Sequence, residues 1–307
     1  MAGIFVFSED SALARQLLTP ALELKKSLAQ PITALAVNET QARELASLGA
    51  DKAIALTGSS WVEGLSEAIY SQVNGAQGSI LLVGGTLRGK QVASYVAAKL
   101  NAGMTTDAKT LKIEGGKLIT TRVLYAGLAV CEEEVALPAV ATIRARTFLP
   151  ASAAPAAGSV ETVAVTGDSR VTVDEVTPTG GEGVDISAAN KLVSVGRGFR
   201  KKEDLKLAED LAAALKAELA CTRGVAEDEH FLPIERYVGI SGQTVKPDLY
   251  LAAGLSGQAQ HMVGCRESKV IVAINNDEHA PIFEAADYGI VGDLYEVLPL
   301  LTAALKQ

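Results

Sequence analysis

Short, continuously apolar runs alternate with longer amphipathic ones along most of this chain, and no other feature restricts its fold as strongly. Residues 3–7 (GIFVF) read as a buried strand and Ser11–Leu28 as a helix. Strands over 32–37, 52–56 and 79–83 follow, separated by helices near 40–48 and 61–73 and followed by another over 89–100. A strand that is apolar along its whole length needs cover on both faces. Helices returning between consecutive strands supply that cover, and the product is a parallel sheet.

The pattern changes after residue 105. Residues 106–147 read as β segments, with LKIEGGKLITT folding as a hairpin about Gly115 and Gly116 and 139–146 forming a strand. LPASAAPAAGS (149–159), poor in charge and rich in alanine and proline, reads as an exposed connection. Residues 171–176 are the candidate last strand of this part. TPTGGEGVD (177–185) stacks Thr, Pro and Gly without periodicity and marks a boundary. A chain of 307 residues suits two domains, 1–185 and 186–307.

The alternation then resumes. Strands are expected over Lys191–Val195, 248–253, 269–274 and Tyr288–Val291. Asp204 is expected to cap a helix reaching Leu219, a second helix starts over 258–263, and Asp293 caps the last one to about Leu305. The fold class is therefore α/β in two domains: an N-terminal parallel-sheet β/α domain with added β segments, and a C-terminal doubly wound domain.

Composition excludes several functions. The net charge is −8, divided as −4 on either side of residue 185, so no basic half is available to bind nucleic acid. Aromatics make up 5% with a single tryptophan, Trp61, which argues against a base-stacking platform. Cys131, Cys221 and Cys265 form no CxxC pair, so zinc ribbons, iron–sulfur clusters and disulfide frameworks are not expected. No apolar run approaches the roughly 18 residues that span a bilayer, and the start lacks the basic and apolar regions of a secretion signal. A soluble, cytoplasmic protein without membrane insertion is the expectation.

GGTLRGKQ (84–91) nearly completes a P-loop after a strand and before a helix, but Gln91 stands where a magnesium-binding hydroxyl is required. The simpler reading is a helix start whose Arg88 and Lys90 face solvent or a partner. The strand ends of the C-terminal half are more informative, because open parallel sheets bind ligands there. GRG (196–198), Thr222-Arg223, Ser256-Gly257 with Gln260 and His261 beyond, Asn275, and Gly292-Asp293 all fall at such ends. Glycines allow close approach, helix starts offer N–H groups, and two arginines add positive charge. Together these suit a dinucleotide pyrophosphate. GRG lacks the GxGxxG spacing, and GISG and GLSG lack the GxSxG spacing of a hydrolase.

In this order the strand ends resemble the alpha subunit of electron transfer flavoproteins, through SVGRGF, ELACTRGVAE, RYVGISGQTVKPDLYLAAGLSGQAQHMVG, KVIVAIN and APIFEAADYGIVGDLYEVLPLL. The match covers nearly all of residues 190–307, and GISG with QHMVG looks most like a Fix-type branch. The first domain resembles the family through its length, its β/α order and TLRGK. The resemblance implies an electron carrier rather than an enzyme. It would bind one FAD in the C-terminal domain, with the N-terminal domain meeting a separate beta subunit. Electrons would pass between an acyl-CoA dehydrogenase-type flavoprotein and an acceptor such as a quinone-linked oxidoreductase, in fatty acid or carnitine metabolism.

Carried over by motif, Arg197 lies by the phosphates and Thr222 and Arg223 sit against the isoalloxazine ring. Val238, Gly239, Ile240 and Ser241 form a loop over the ring edge, with Ser241 bonded to a ring nitrogen. Ser256, Gly257, Gln258, Ala259, Gln260 and His261 supply a helix start near the phosphates and a histidine on the pyrimidine carbonyl. Asn275, Asp293 and Leu294 hold the adenosine end. A donor from His261 and the charge of Arg223 would stabilise the negative charge of a reduced ring. Two departures stand out. Ile240 and Ser241 replace a Gln-Thr pair common in the family, and Asn276 replaces a lysine. The alternatives are an NAD(P)-binding oxidoreductase using the same crevice and a nucleotide-binding interaction subunit. Electron bifurcation stays open.

Overall fold

The structure, a computed structural model, describes residues 2–59, 61–74, 78–125, 129–154, 157–166, 171–177 and 185–306. The chain forms two compact units, Met1–Val176 and Thr177–Gln307. Most of the boundary stretch 177–185 and part of the 149–159 connection lie outside the described residues.

The first unit begins with β1 (Ile4–Phe7), α1 (Ser11–Leu28), β2 (Ile32–Ala36), α2 (Glu39–Ser47), β3 (Lys52–Thr57), α3 (Ser66–Val73), β4 (Ile80–Gly84) and α4 (Leu87–Leu100). Asp10, Asn38 and Thr86 each accept N–H bonds from the first turn of the helix that follows, which fixes three of the starts. β5 (Gly103–Thr105), β9 (Ala139–Ile143) and β10 (Ser159–Ala164) complete a parallel sheet in the order β10-β3-β2-β1-β4-β9-β5. Alternate residues of β1 show why it must be central. Ile4 and Val6 enter the core on one face, Phe5 and Phe7 the core on the other. Between β5 and β9 the chain leaves the sheet to form β6 (Thr110–Glu114), β7 (Lys117–Leu124) and β8 (Ala129–Ala136), an antiparallel sheet turning at Gly115 and Gly116, both with positive φ.

One sequence expectation fails in this unit. Residues 171–176 form no strand; the last strand is β10, whose side chains are mostly exposed and so carry no apolar run to betray it. Lys90 stays partly exposed and pairs with Asp107, 2.8 Å away. The P-loop-like glycines are packing devices. A Cβ on Gly89 would lie 2.0 Å from the Gly84 carbonyl oxygen, and one on Gly84 would lie 2.4 Å from Ser8 Oγ.

The second unit contains β11 (Lys191–Val195), α5 (Leu205–Leu215), β12 (Glu218–Cys221), β13 (Leu249–Ala253), α6 (Ala259–Cys265), β14 (Ile271–Asn275), α7 (Ile282–Ala285), β15 (Tyr288–Val291) and α8 (Leu294–Leu305). All five strands are parallel, in the order β12-β11-β13-β14-β15. Leu211 of α5 and Leu298 of α8 share one core; Met262 of α6 and Ile282 of α7 share the core on the other face. The sheet is thus doubly wound, as the sequence implied, and its strand order reverses between β11 and β13, the position where such sheets open a crevice.

The helix expected from Asp204 to Leu219 is shorter. It stops at Leu215 because Lys216 turns into the left-handed region, and Leu219 belongs to β12. Asp204 does not cap α5 with its side chain. Its carboxylate instead accepts from the Lys201 N–H and the Tyr295 hydroxyl, a tertiary use that local sequence does not reveal.

Candidate functional site

The crevice between β11 and β13 continues into a cleft of about 750 Å³ at the carboxyl ends of the strands. Its walls carry Arg197, Thr222, Arg223, Val238, Gly239, Ile240, Ser241, Ser256, Gly257, Gln258, Gln260, His261, Asn275, Asp293 and Leu294. Of the residues singled out in the sequence, only Ala259 is not on the lining. Arg200, Asp277 and Tyr295 also line the cleft and were missed.

Glycine spacing sets the floor. The Gly198 N–H donates to the Gly254 carbonyl at 2.8 Å. A Cβ on Gly196 would come within 2.4 Å of Gly254 O, and one on Gly198 within 2.8 Å of Gly254 Cα. The glycines that suggested close approach to a ligand therefore first let the loops after β11 and β13 lie backbone on backbone. Gly257 has φ +75°, and a Cβ there would meet Ile282 backbone at 2.5 Å. The chain can run from β13 into α6 only because that position is bare.

The segment that follows is rich in available donors. No described residue accepts the backbone N–H groups of residues 256–260. Ser256 contributes its carbonyl to Ile282 N–H, and Gln258 its carbonyl to His261 and Met262 N–H. Opposite, residues 238–243 make a tight turn. The Gly239 N–H donates to Gln243 O, and the Ile240 N–H to Gln260 O at 2.8 Å. That turn leaves Ser241 exposed and the Ile240 side chain 68% exposed at the mouth.

His261 is buried at the base. Its Nε2 lies 2.8 Å from the hydroxyl of Tyr250, a fully buried side chain, while its Nδ1 is closed off from solvent and makes no hydrogen bond of good geometry among the described residues. Burial pulls the imidazole pKa down to about 4, an effect the Val238 carbonyl offsets only in part. The ring is therefore neutral near pH 7.

The remaining side chains are anchored differently. Asn275 Nδ2 donates to the Leu255 carbonyl at 2.8 Å, and its Oδ1 accepts from Asp277 N–H at 3.0 Å, so this amide ties two strand-end loops together. Asp293 caps α8 by accepting from Tyr295 N–H. The Arg200 guanidinium stacks over the Tyr295 ring at 5.4 Å. Arg223 precedes a turn of π-helix, Gly224–Asp228, and pairs with Glu227 on it. The Arg197 stem passes Gly224, where a Cβ would stand 3.2 Å from its Cδ.

A doubly wound sheet with a donor-lined cleft at its switch point defines a protein that binds a nucleotide cofactor. Residues 6–168 match the family described as electron transfer flavoprotein domain, and residues 185–266 the electron transfer flavoprotein FAD-binding domain. Protein FixB of Escherichia coli O6:K15:H31 is 41% identical over 99% of this chain and 98% of its own length. Protein FixB of Escherichia coli O157:H7 and of Shigella flexneri are each 41% identical with the same coverage. A solved Mycobacterium smegmatis structure, assigned provisionally as a thiamin diphosphate-dependent enzyme, covers 96% of the chain and 54% of its own at 12% identity. Its TM-score of 0.26 is too low to carry an argument. The chain belongs to the electron transfer flavoprotein family as an alpha subunit of the Fix type.

The family is one of electron carriers rather than enzymes, its alpha subunit works with a beta subunit, and the cofactor of this domain is FAD. The residues present fit that cofactor. Five consecutive N–H groups that no described residue accepts suit a diphosphate, and they lie beside a cleft that also carries Arg197. Among the described residues no helix is long and apolar enough to cross a membrane, and no cluster of His, Cys, Asp and Glu could hold a metal ion.

Proposed function

We propose that this alpha subunit, paired with its beta subunit, takes electrons from an acyl-CoA dehydrogenase-type flavoprotein and delivers them to a redox acceptor such as a quinone-linked oxidoreductase, in the cytoplasm. FAD, when bound, supplies the one- and two-electron chemistry. The chain's own residues bind it, orient it and set the electrostatics around it. The functional division is 1–185 for subunit contact and 186–307 for the cofactor.

The run of N–H groups over Ser256, Gly257, Gln258, Ala259 and Gln260 receives the diphosphate, with Arg197 adding charge. Asn275 shapes the adenosine end by holding its two loops, and Asp293 and Leu294 close it. Thr222 and Arg223 lie against the isoalloxazine ring, and Val238, Gly239, Ile240 and Ser241 cover its edge. Ser241 offers a hydroxyl to a ring nitrogen. His261 offers an N–H to the pyrimidine carbonyl and favours negative charge there. With Ile240 in place of an amide, the ring edge has one polar contact fewer. With Asn276 in place of lysine, the phosphate end has one positive charge fewer.

The observation that carries this reading is that all but one of these residues line a single cleft at the switch point of the sheet. The test is co-expression with the neighbouring beta-type chain, followed by a visible spectrum and a cofactor count. One FAD per heterodimer, reduced on mixing with an acyl-CoA dehydrogenase and its substrate, is the expected result. A colourless heterodimer after reconstitution with FAD overturns the reading.

A further inference from the structure

Three arginines line the cleft, and they are held in different ways. Arg223 is committed to Glu227, and the Arg197 stem lies along Gly224. Arg200 has no carboxylate partner among the described residues; its guanidinium lies over the Tyr295 ring, 5.4 Å from the centroid. We propose that Arg200 is a further cofactor-binding residue: held over Tyr295, it presents the second face of its guanidinium plane to the adenine of FAD.

Three hydrogen bonds fix the platform. The Tyr295 hydroxyl donates to Asp204 Oδ2 at 2.7 Å and accepts the Arg200 N–H at 3.0 Å. The Tyr295 N–H donates to Asp293 Oδ1 at 2.9 Å. The tyrosine therefore joins the start of α8 to the loop that follows β11, and Arg200 belongs to that loop. Asp204, which gives α5 no side-chain cap, has its use here.

The place of this pair in the cleft names the part of the ligand. Tyr295 follows Asp293 and Leu294, the residues given above to the adenosine end, and the inference rests on that reading. The diphosphate has its own donors in the N–H groups of residues 256–260 on the wall after β13. What the adenosine end lacks without Arg200 is a flat surface for the base.

A guanidinium suits that task better than an ammonium. It is planar, delocalised and weakly hydrated, and it stacks on aromatic faces. A free arginine loses rotamer freedom when a ligand fixes it. Here Tyr295 restricts the side chain before the ligand arrives, so less is lost on binding. Tyr295 is thus a positioning residue that acts through Arg200. Lysine at position 200 would keep the charge and lose the plane, which separates stacking on the base from attraction to a phosphate.

The test is titration of the FAD-free heterodimer with FAD, read by flavin fluorescence, in wild type, Arg200→Gln and Arg200→Lys. Arg200 is exposed, so both variants should keep the thermal midpoint of the wild type. The dissociation constant is expected to rise roughly five- to tenfold in both, with the spectrum and potential of the bound flavin unchanged. Tyr295→Leu should weaken binding by about the same factor alone and by less than about twofold on top of Arg200→Gln. Wild-type affinity in Arg200→Gln overturns the inference and leaves FAD binding itself standing. Wild-type affinity in Arg200→Lys also overturns it, because charge without the plane would then suffice. A changed flavin spectrum or potential in Arg200→Gln overturns the placement at the adenine. Additive losses overturn the positioning role of Tyr295. A wild-type heterodimer that takes up no FAD overturns the proposed function and this inference with it.

Discussion

Arg223 Nε and Glu227 Oε2 form an ion pair at 2.5 Å across one turn of π-helix beside the cleft. The resemblance gave Arg223 a positive charge beside the ring. In the structure that charge is opposed by a carboxylate four residues on, and the hydrogen bond to Glu227 is also what raises the arginine's pKa most. The Arg223 side chain is 69% exposed, so solvent screens the pair. Glu227 should act as a brake on the arginine. Glu227→Gln is expected to shift the reduced-to-oxidised preference of bound FAD upward by roughly threefold, and Arg223→Ala to shift it downward by a comparable factor. Spectroelectrochemical titration of the FAD-loaded heterodimer reads both. Identical potentials in wild type and Glu227→Gln would remove the carboxylate from the account.

His261 also makes stability depend on pH. Its folded pKa, about 4, lies below the ordinary value of 6.5, so between those values the unfolded chain binds a proton that the folded chain does not. Stability from this group is full above about pH 6.5 and declines as pH falls, by roughly 3 kcal/mol at pH 4. Urea unfolding at pH 7 and pH 4.5 should show this component in wild type and lack it in His261→Gln. Equal pH slopes would mean the imidazole is already protonated in the folded state.

Gly257→Ala probes the entry into α6. The substitution meets a positive φ and Ile282 backbone at 2.5 Å, and the combined strain and overlap should cost roughly 2–4 kcal/mol. A lower thermal midpoint together with less FAD per purified heterodimer is expected. Full FAD content at an unchanged midpoint would show that the loop can shift without consequence.

Asn275→Ala removes the amide that bridges Leu255 and Asp277. The Leu255 carbonyl loses its donor, at a cost of about 1–3 kcal/mol. FAD should dissociate faster from this variant while the bound spectrum stays unchanged, because the loops loosen but the ring contacts remain. Stopped-flow apoflavodoxin-type trapping of released flavin measures the rate, and a wild-type rate would count against the bridge.

Thiol chemistry should distinguish the cysteines. Burial pushes the thiol pKa values of Cys221 and Cys265 up to about 12, whereas Cys131 on β8 is half-buried. A chromogenic disulfide reagent should therefore modify at most one thiol in the native protein and all three in denaturant.

The sequence carried the central strands of both sheets plainly, because Ile4–Phe7 and Leu249–Ala253 are apolar runs with no rival reading. It did not carry β10, whose exposed Ser159, Glu161 and Thr162 look like any surface segment until pairing with β3 is known. The end of α5 was hidden for another reason. Leu211, Leu215 and Leu219 continue a helical spacing, and only the left-handed turn at Lys216 breaks it. Most of the cleft was legible because its residues sit at strand ends in recognisable strings. The Arg223–Glu227 spacing was present but unread, while the Tyr250–His261 contact, between a strand and a helix, has no local signature at all.

The N–H groups of residues 256–260, which no described residue accepts, have a consequence for the life of the protein in a cell. A ligand that completes these bonds binds only the folded chain. A hundredfold excess over its dissociation constant therefore deepens the native well by about 2.7 kcal/mol. Chains made when flavin is scarce open more often and meet proteases more often.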